Sequence, residues 1–256
     1  MSKYAIDVST FNGLINWKEV KASGIDIAII RVGGRYGVSG KLYTDDKALR
    51  NIKGALDNNI SIGIYYFTQA INEAEAKEEA TWTINFIKDY KSRIELPVYI
   101  DSEWLDSGRH NNINKAQRSK VIEAFCSTIK NAGYKAGLYG STSWLNNNID
   151  ITKISKDISI WVADWRSSCG YKGNYDIWQF TDVGKVNGVS GNVDKNIVYK
   201  DFQKKEKEYP DKIKVKACDV ILGKYGNGAE RVKKLGSDYK EVQSLVNELL
   251  ERLGVL

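Results

Sequence analysis

Two acidic side chains, Asp101 and Glu103, close the apolar run Leu96-Pro97-Val98-Tyr99-Ile100. The run is short, apolar and bounded by turn residues, which predicts a buried strand. Alternate side chains of a strand share a face, so the two acids are expected to point the same way, with Cα atoms roughly 6.5–7 Å apart. Carboxylates held that close repel, and one of them is expected to keep its proton near neutral pH. A protonated acid beside an ionised carboxylate is the equipment that breaks a glycosidic bond. The competing reading, two solvated acids in a loop, is disfavoured by the apolar residues that lead straight into the pair.

Further acids fall at strand ends. Asp7 ends the first strand-like run, and Asp194 enters the last one in Gly191-Asn192-Val193-Asp194. A loop cap competes for Asp7 and a turn cap for Asp194. Asp164 and Asp182 also end strands, and residue type alone does not separate them from the catalytic candidates. Tyr65, Tyr66, Phe67, Trp104, Tyr139, Trp161, Trp165 and Trp178 gather near the same ends. Sugar rings stack their apolar faces on aromatic planes while their hydroxyls need charged and amide partners, so acids ringed by aromatics suit a glycan cleft. Tyr65 and Phe67 alternate and share a face, whereas Tyr66 is expected to pack under a helix. Trp161 and Trp178 lie in apolar runs and read as core.

Strand-like runs recur at 4–8, 25–33, 60–68, 96–103, 135–141, 158–165 and 177–181, with a weaker one at 193–199. Helical patterns over 44–58, 72–90 and 114–132 separate the early strands. That alternation predicts a parallel sheet with crossover helices. After residue 141 the connections are short or polar. The expected fold is therefore α/β: an irregular (β/α) barrel of about eight strands with outer helices missing from its second half. The rival, an open doubly wound sheet, needs a glycine-rich phosphate loop after the first strand, and Asp7-Val8-Ser9-Thr10-Phe11-Asn12-Gly13 is not one.

The chain divides on pattern into a barrel over 1–200, a charged linker over 201–212 and a small three-helix domain over 213–256. In the tail, helices are expected at 213–222 and 229–235, and a third begins at an Asp238 cap with Glu241 three residues on. The 256 residues suffice for one large and one small domain, and a hydrophobic content of 42% is ordinary for a globular protein. The longest apolar runs fall far short of a membrane span. Cys126, Cys169 and Cys218 are odd in number and far apart, which predicts free, buried thiols. With His110 the sole histidine, no zinc cluster can be assembled, and no metal or organic cofactor is expected. A Ser-His-Asp triad would have to use that one histidine. The net charge of +6 is spread out, which argues against nucleic acid and suits weak attraction to a polyanionic matrix. The N-terminus lacks the apolar stretch of a signal peptide. Synthesis in a cytoplasm, with action on the target after release by another route, is the corresponding expectation.

Residues 3–199 resemble glycoside hydrolase family 25, the lysozymes common among phage endolysins. The motifs that carry the resemblance are Ile6-Asp7-Val8-Ser9 with Asn12-Gly13, Gly63-Ile64-Tyr65-Tyr66-Phe67 and Pro97-Val98-Tyr99-Ile100-Asp101-Ser102-Glu103. Trp161-Val162-Ala163-Asp164-Trp165, Trp178-Gln179-Phe180-Thr181 and Gly191-Asn192-Val193-Asp194 follow in order. The resemblance implies a retaining N-acetylmuramidase acting on peptidoglycan glycan strands. Glu103 would be the general acid, and Asp101 would orient the substrate 2-acetamido group that attacks the anomeric carbon. Asp7 and Asp194 would line the same site, with Tyr65, Phe67, Tyr139, Trp165 and Gln179 as substrate contacts. Direct attack by an aspartate stays open. Two departures from the family pattern are Tyr66, where a histidine is frequent, and the extra acid Asp164. The tail from Gly223 to Asn247 resembles a three-helix cell-wall-binding repeat, implying recognition of muropeptide through Arg231, Tyr239 or Gln243. Rival readings are a non-catalytic glycan-binding barrel and a wall amidase or peptidase.

Overall fold

The computed structural model describes residues 3–202, 209–252 and 255. They form two compact units, one within Met1–Gln203 and one within Lys204–Leu256.

The first unit is built on nine strands: β1 (Lys3–Val8), β2 (Ile27–Arg35), β3 (Leu42–Thr44), β4 (Ser61–Phe67), β5 (Ile94–Asp101), β6 (Ala136–Ser141), β7 (Ser159–Ala163), β8 (Ile177–Gly184) and β9 (Val193–Val198). Eight close into a barrel in the order β1-β9-β8-β7-β6-β5-β4-β2, sealed by β1 against β2, while β3 extends the end of β2. These eight are the strands expected from the sequence. Their direction is not uniform. β1, β2 and β4 to β8 run parallel, but β9 is antiparallel to both its neighbours. Only residues 185–192 join β8 to β9, too few for the crossover of a dozen or more residues that a parallel return requires.

Helices α1 (Trp17–Ala22), α2 (Ala48–Asp57), α3 (Glu73–Ile87), α4 (Lys115–Asn131) and α5 (Thr142–Asn148) cover the barrel up to β7. Asparagine caps start α1, α3 and α4, and Ser141 caps α5 by accepting the Trp144 N–H at 3.1 Å. The chain from β7 to β9 carries no helix, so the second half of the barrel is clad less than the first.

Strand alternation divides the core in two. Ile6, Val8, Ile30, Ile64, Val98 and Leu138 face outward under the helices. Ala5, Ile27, Ile29, Leu96, Tyr99, Trp161, Ile177 and Val198 fill the interior, with Phe202 among them. Climbing toward the C-terminal ends of the parallel strands, the inward positions turn from apolar to polar. Ala5 gives way to Asp7, Ile29 to Arg31, Tyr99 to Asp101 and Ile177 to Gln179, while antiparallel β9 rises from Val198 through Asn196 to Asp194. A packed floor below a polar layer is what a barrel of this size produces, since its interior is filled by side chains.

The second unit contains α6 (Asp211–Ile221), α7 (Gly228–Leu235) and α8 (Tyr239–Arg252), closed around Tyr209, Ile213, Ala217, Val220, Leu235, Val242 and Val246. Its first helix begins within the segment read as linker, and residues 203–208 of that segment lie outside the described residues. Gly236 ends α7 at φ 56°, a left-handed conformation that glycine adopts without strain. The three cysteines are free, but only Cys126 is buried. Cys169 is half-buried and Cys218 exposed, because α6 buries Ile213, Ala217 and Val220 and turns Cys218 to solvent.

Candidate active site

Asp7, Asp101, Glu103 and Asp194 converge at the barrel mouth. Asp7 and Asp194 are paired residues of β1 and β9, and Asp101 lies in register with Phe67 on one side and Tyr139 on the other. Glu103 is not on the strand. β5 stops at Asp101, level with the end of β4 at Phe67; the Thr68 N–H still donates to the Asp101 carbonyl at 3.0 Å and the Ser102 N–H to the Tyr139 carbonyl at 3.1 Å, and the ladder goes no further. Glu103 reaches the cluster from the loop and is felt electrostatically by both Asp7 and Asp101.

Asp7 is not a loop cap. Its Oδ2 accepts Gln179 Nε2 at 3.0 Å and Asn196 Nδ2 at 2.8 Å. Each amide oxygen is fixed by an indole N–H, which can only donate. Trp161 Nε1 donates to Asn196 Oδ1 at 2.7 Å, and Trp165 Nε1 and the Tyr139 hydroxyl each donate to Gln179 Oε1 at 3.0 Å. Trp161 is core, as expected, yet its ring also floors the site, lying against Tyr65, Tyr99 and Tyr139. Asp101 differs from Asp7: its Oδ1 is buried with no protein hydrogen-bond partner.

Burial governs the charge state. It pushes Asp7 up to about 6, with Glu103 adding repulsion against the pull of the Asn196 and Gln179 hydrogen bonds. Burial, then Asp194, raises Glu103 to about 7. Asp194 rises to about 8 through burial and the nearby Asp7 and Asp182, and Asp101 is driven well above the carboxylate range by burial and Glu103. Groups coupled this strongly titrate as a set, so the cluster as a whole retains protons at neutral pH.

Arg31 opposes this trend, lowering both Asp101 and Glu103. Its Nε donates to buried Asp45 at 2.9 Å, and the exposed Phe11 ring lies over its guanidinium at 4.9 Å. Arg31, Asn196 and Phe11 escaped the sequence reading. The available signal was a lone polar residue at an inward position of an apolar strand for Arg31, an amide two residues from Asp194 on the same strand face for Asn196, and an aromatic just beyond β1 for Phe11.

Among the expected sugar contacts, Tyr65 and Tyr139 share the cluster's field, Gln179 holds Asp7, and Phe67 is the next inward position above Tyr65. Phe11, Trp104 and Trp165 are 86, 63 and 57% exposed, and each is anchored to a neighbour: Arg31, the Trp144 ring and Gln179 respectively. Tyr66 packs outward between Trp82 of α3 and Phe125 of α4. Trp178 is half-buried and donates to the Asp164 carbonyl at 2.7 Å. Asp164 itself is engaged elsewhere. It takes both Nε and Nη2 of Arg166, the Thr142 hydroxyl and the Gly170 N–H, and Arg166 foremost holds it well below the usual range. Asp182 is exposed and reaches the cluster only through Asp194.

Two clefts, of about 540 Å³ beside Glu19 and Lys185 and about 690 Å³ beside Trp17 and Arg50, include none of the four acids. Neither offers a comparable set of groups for acid–base chemistry, so the mouth is the candidate site. Among the described residues no group of three or more His, Cys, Asp or Glu side chains is arranged to hold a metal ion.

In the second unit, Arg231 donates to the Gly226 carbonyl at 3.0 Å, to Asn227 Oδ1 at 2.8 Å and to Gln243 Oε1 at 3.0 Å. Arg231 and Gln243 therefore form one polar cluster between α7 and α8, whereas Tyr239 packs against the apolar core.

Residues 6–189 match the family model Glycosyl hydrolases family 25, and residues 217–250 match the CW_7 repeat. The chain is similar to the autolytic lysozyme of Clostridium acetobutylicum, with 26% identity over 191 residues that cover 74% of this chain and 53% of that protein. It is similar to lysozyme M1 of Streptomyces globisporus, with 30% identity over 207 residues that cover 75% of this chain and 66% of that protein. The match thus spans between half and two thirds of those relatives' lengths. Among solved structures, the modular autolysin LytC of Streptococcus pneumoniae, in complex with a synthetic peptidoglycan ligand, superposes with a TM-score of 0.68 at 31% identity, covering 77% of this chain and 47% of that one.

Proposed function

Since the chain belongs to glycosyl hydrolase family 25, we propose that it is an N-acetylmuramidase, hydrolysing the β-1,4 bond between N-acetylmuramic acid and N-acetylglucosamine in peptidoglycan. The observation that carries this reading is the set of four carboxyls at the barrel mouth, buried enough to stay partly protonated at neutral pH.

Glu103 is the proton donor to the leaving oxygen. Burial raises both Asp101 and Glu103, and each carboxyl adds to the repulsion in the cluster. The unpartnered Asp101 Oδ1 suits an acetamido N–H, and a hydrogen bond there favours ionised Asp101 and leaves the proton on Glu103. The same contact aims the acetamido oxygen at the anomeric carbon. That oxygen forms the new bond as the leaving oxygen takes the Glu103 proton. Water, deprotonated by Glu103, then opens the cyclic intermediate, and two inversions give net retention. Asp7, whose ionised form is favoured by Gln179 and Asn196, stabilises the positive charge that develops on the sugar, and Asp194 lines the same site. The exposed rings of Trp104 and Trp165 offer stacking faces to the glycan.

The second unit supports binding of muropeptide at the Arg231–Gln243 cluster. A muramidase barrel followed by such a repeat supports the finer reading of an endolysin that acts on the wall after release from the cell that makes it.

The test is mass spectrometry of fragments released from purified peptidoglycan. The wild-type chain is expected to release muropeptides with new N-acetylmuramic acid reducing ends in the β configuration by early-time NMR. Glu103→Gln is expected to lower kcat by about 10²–10⁴-fold with wall binding intact. Free amino groups in place of reducing ends would overturn the reading.

A further inference from the structure

Ser102 lies between the two central acids in sequence and is fully buried. Its Oγ lies 3.0 Å from Trp144 Nε1 and 2.9 Å from His110 Nε2. The direction of every bond follows from chemistry. His110 Nδ1 lies 2.7 Å from the Ala70 carbonyl, which can only accept, so Nδ1 carries the proton. Burial holds the ring neutral, leaving Nε2 as an acceptor. The indole N–H only donates. The single Ser102 proton therefore goes to His110, and the Ser102 oxygen receives Trp144.

This is not a nucleophilic serine. Its hydroxyl is sealed from solvent, and its histidine is backed by a backbone carbonyl in place of a carboxylate. The network is anchored on every side. The His110 N–H donates to Gln69 Oε1 at 3.2 Å, and its carbonyl accepts Arg118 Nη2 at 2.7 Å. Arg118 also stacks on the Trp144 ring at 4.6 Å and holds the Asn148 carbonyl at 3.0 Å. The one residue that joins Asp101 to Glu103 is thereby tied to α5 and to the loop before α4, and through that loop to the segment after β4.

We propose that His110, acting through the Ser102 hydroxyl, is a positioning residue that fixes Glu103 relative to Asp101 just where β5 ends and the ladder no longer holds the chain. This inference rests on the muramidase reading for its kinetic consequence. Glu103 has no strand partner, so its reach into the cluster depends on what holds residue 102. The neutral tautomer of His110 gives Ser102 one acceptor in one direction, and Trp144 gives it one donor.

The experiment compares Ser102→Ala, His110→Phe, the double variant and His110→Gln in the full chain. Three measurements are made: kcat and KM on purified glycan oligomers of peptidoglycan, thermal midpoints, and ¹³C NMR titration of the carboxyls. Each removal is expected to lower kcat about 10- to 100-fold with KM nearly unchanged, since small misplacements of a reacting group have costs of this size. The double variant is expected to be no worse than the poorer single one. His110→Gln, which returns an oxygen acceptor to Ser102, is expected to recover most of the loss. The Glu103 titration and the basic limb of the rate profile are expected to shift together.

Ser119→Ala removes a buried hydroxyl that accepts the Asp150 N–H at 2.8 Å in α4, and serves as a control for lost stability alone. If Ser102→Ala and His110→Phe behave like that control, with lower thermal midpoints but unchanged kcat and Glu103 titration, the proposal is overturned. Ser102→Cys replaces Ser102→Ala if the latter does not fold. If the wild-type chain releases no reducing ends, the muramidase reading fails, and the carboxyl titration still decides whether His110 positions Glu103.

Discussion

Four carboxyls share the barrel mouth, and Arg31 is the cation their field includes, itself committed to Asp45. Such a site opposes folding as soon as its members ionise. Each acid has a folded-state pKa raised above the value of about 4 that it has in the unfolded chain. The unfolded state therefore releases protons first, and the stabilising effect of the protonated cluster, complete below about pH 4, is lost as pH rises toward the folded values near 6 to 8. Asp194→Asn removes one of these charges. It is expected to raise the thermal midpoint at pH 8 and to leave it nearly unchanged at pH 4, which calorimetry at the two pH values will read. An equal shift at both would mean that Asp194 does not titrate with the cluster. Asp164 shows the contrast. Paired with Arg166, its pKa is lowered, so it favours folding above the unfolded value and loses that effect only in acid.

At the scale of elements, the barrel depends on close approach at its floor. Gly137 of β6 lies under the Tyr99 ring, and a Cβ there would collide with that ring and crowd the Ser159 carbonyl. Gly137→Ala is expected to destabilise the chain by about 1–3 kcal/mol, the range for overpacking a filled core, measured by denaturant unfolding. The strands were legible because inward and outward residues alternate, as in Ala5-Ile6-Asp7 and Tyr99-Ile100-Asp101, and burial on both faces leaves strong apolar runs. Direction was not legible. A period of two reads the same forward and backward, and the antiparallel setting of β9 follows from the length of the connection before it. Asp7, Asp101 and Asp194 could be found as acids on inward positions at strand ends. The loop placement of Glu103 could not, since β5 stops level with the end of β4 at Phe67, a neighbour distant in sequence. The contacts of His110 were equally hidden, because its partners Ala70 and Ser102 belong to other strand ends.

At the scale of the whole molecule, two units of very different size occur in one chain. The core of the second consists of Tyr209, Ile213, Ala217, Val220, Leu235, Val242 and Val246, and among the described residues no disulfide reinforces it. Calorimetry is expected to resolve two transitions, the smaller at lower temperature. Val242→Ala is expected to lower that one alone, by about 1–3 kcal/mol in stability. A single transition shifted as a whole would mean that the units unfold together.

The filled floor beneath the acids makes the barrel a cul-de-sac. Tyr99, Trp161 and Phe202 occupy the bore, so a polymer cannot be threaded through it and digested from a free end. On the proposed muramidase reading, a long glycan strand lies crosswise over the rim and is expected to be severed at interior points. Median strand length, followed by size-exclusion chromatography, should therefore collapse while small soluble products are still scarce. Steady shedding of end fragments from otherwise full-length strands would contradict it.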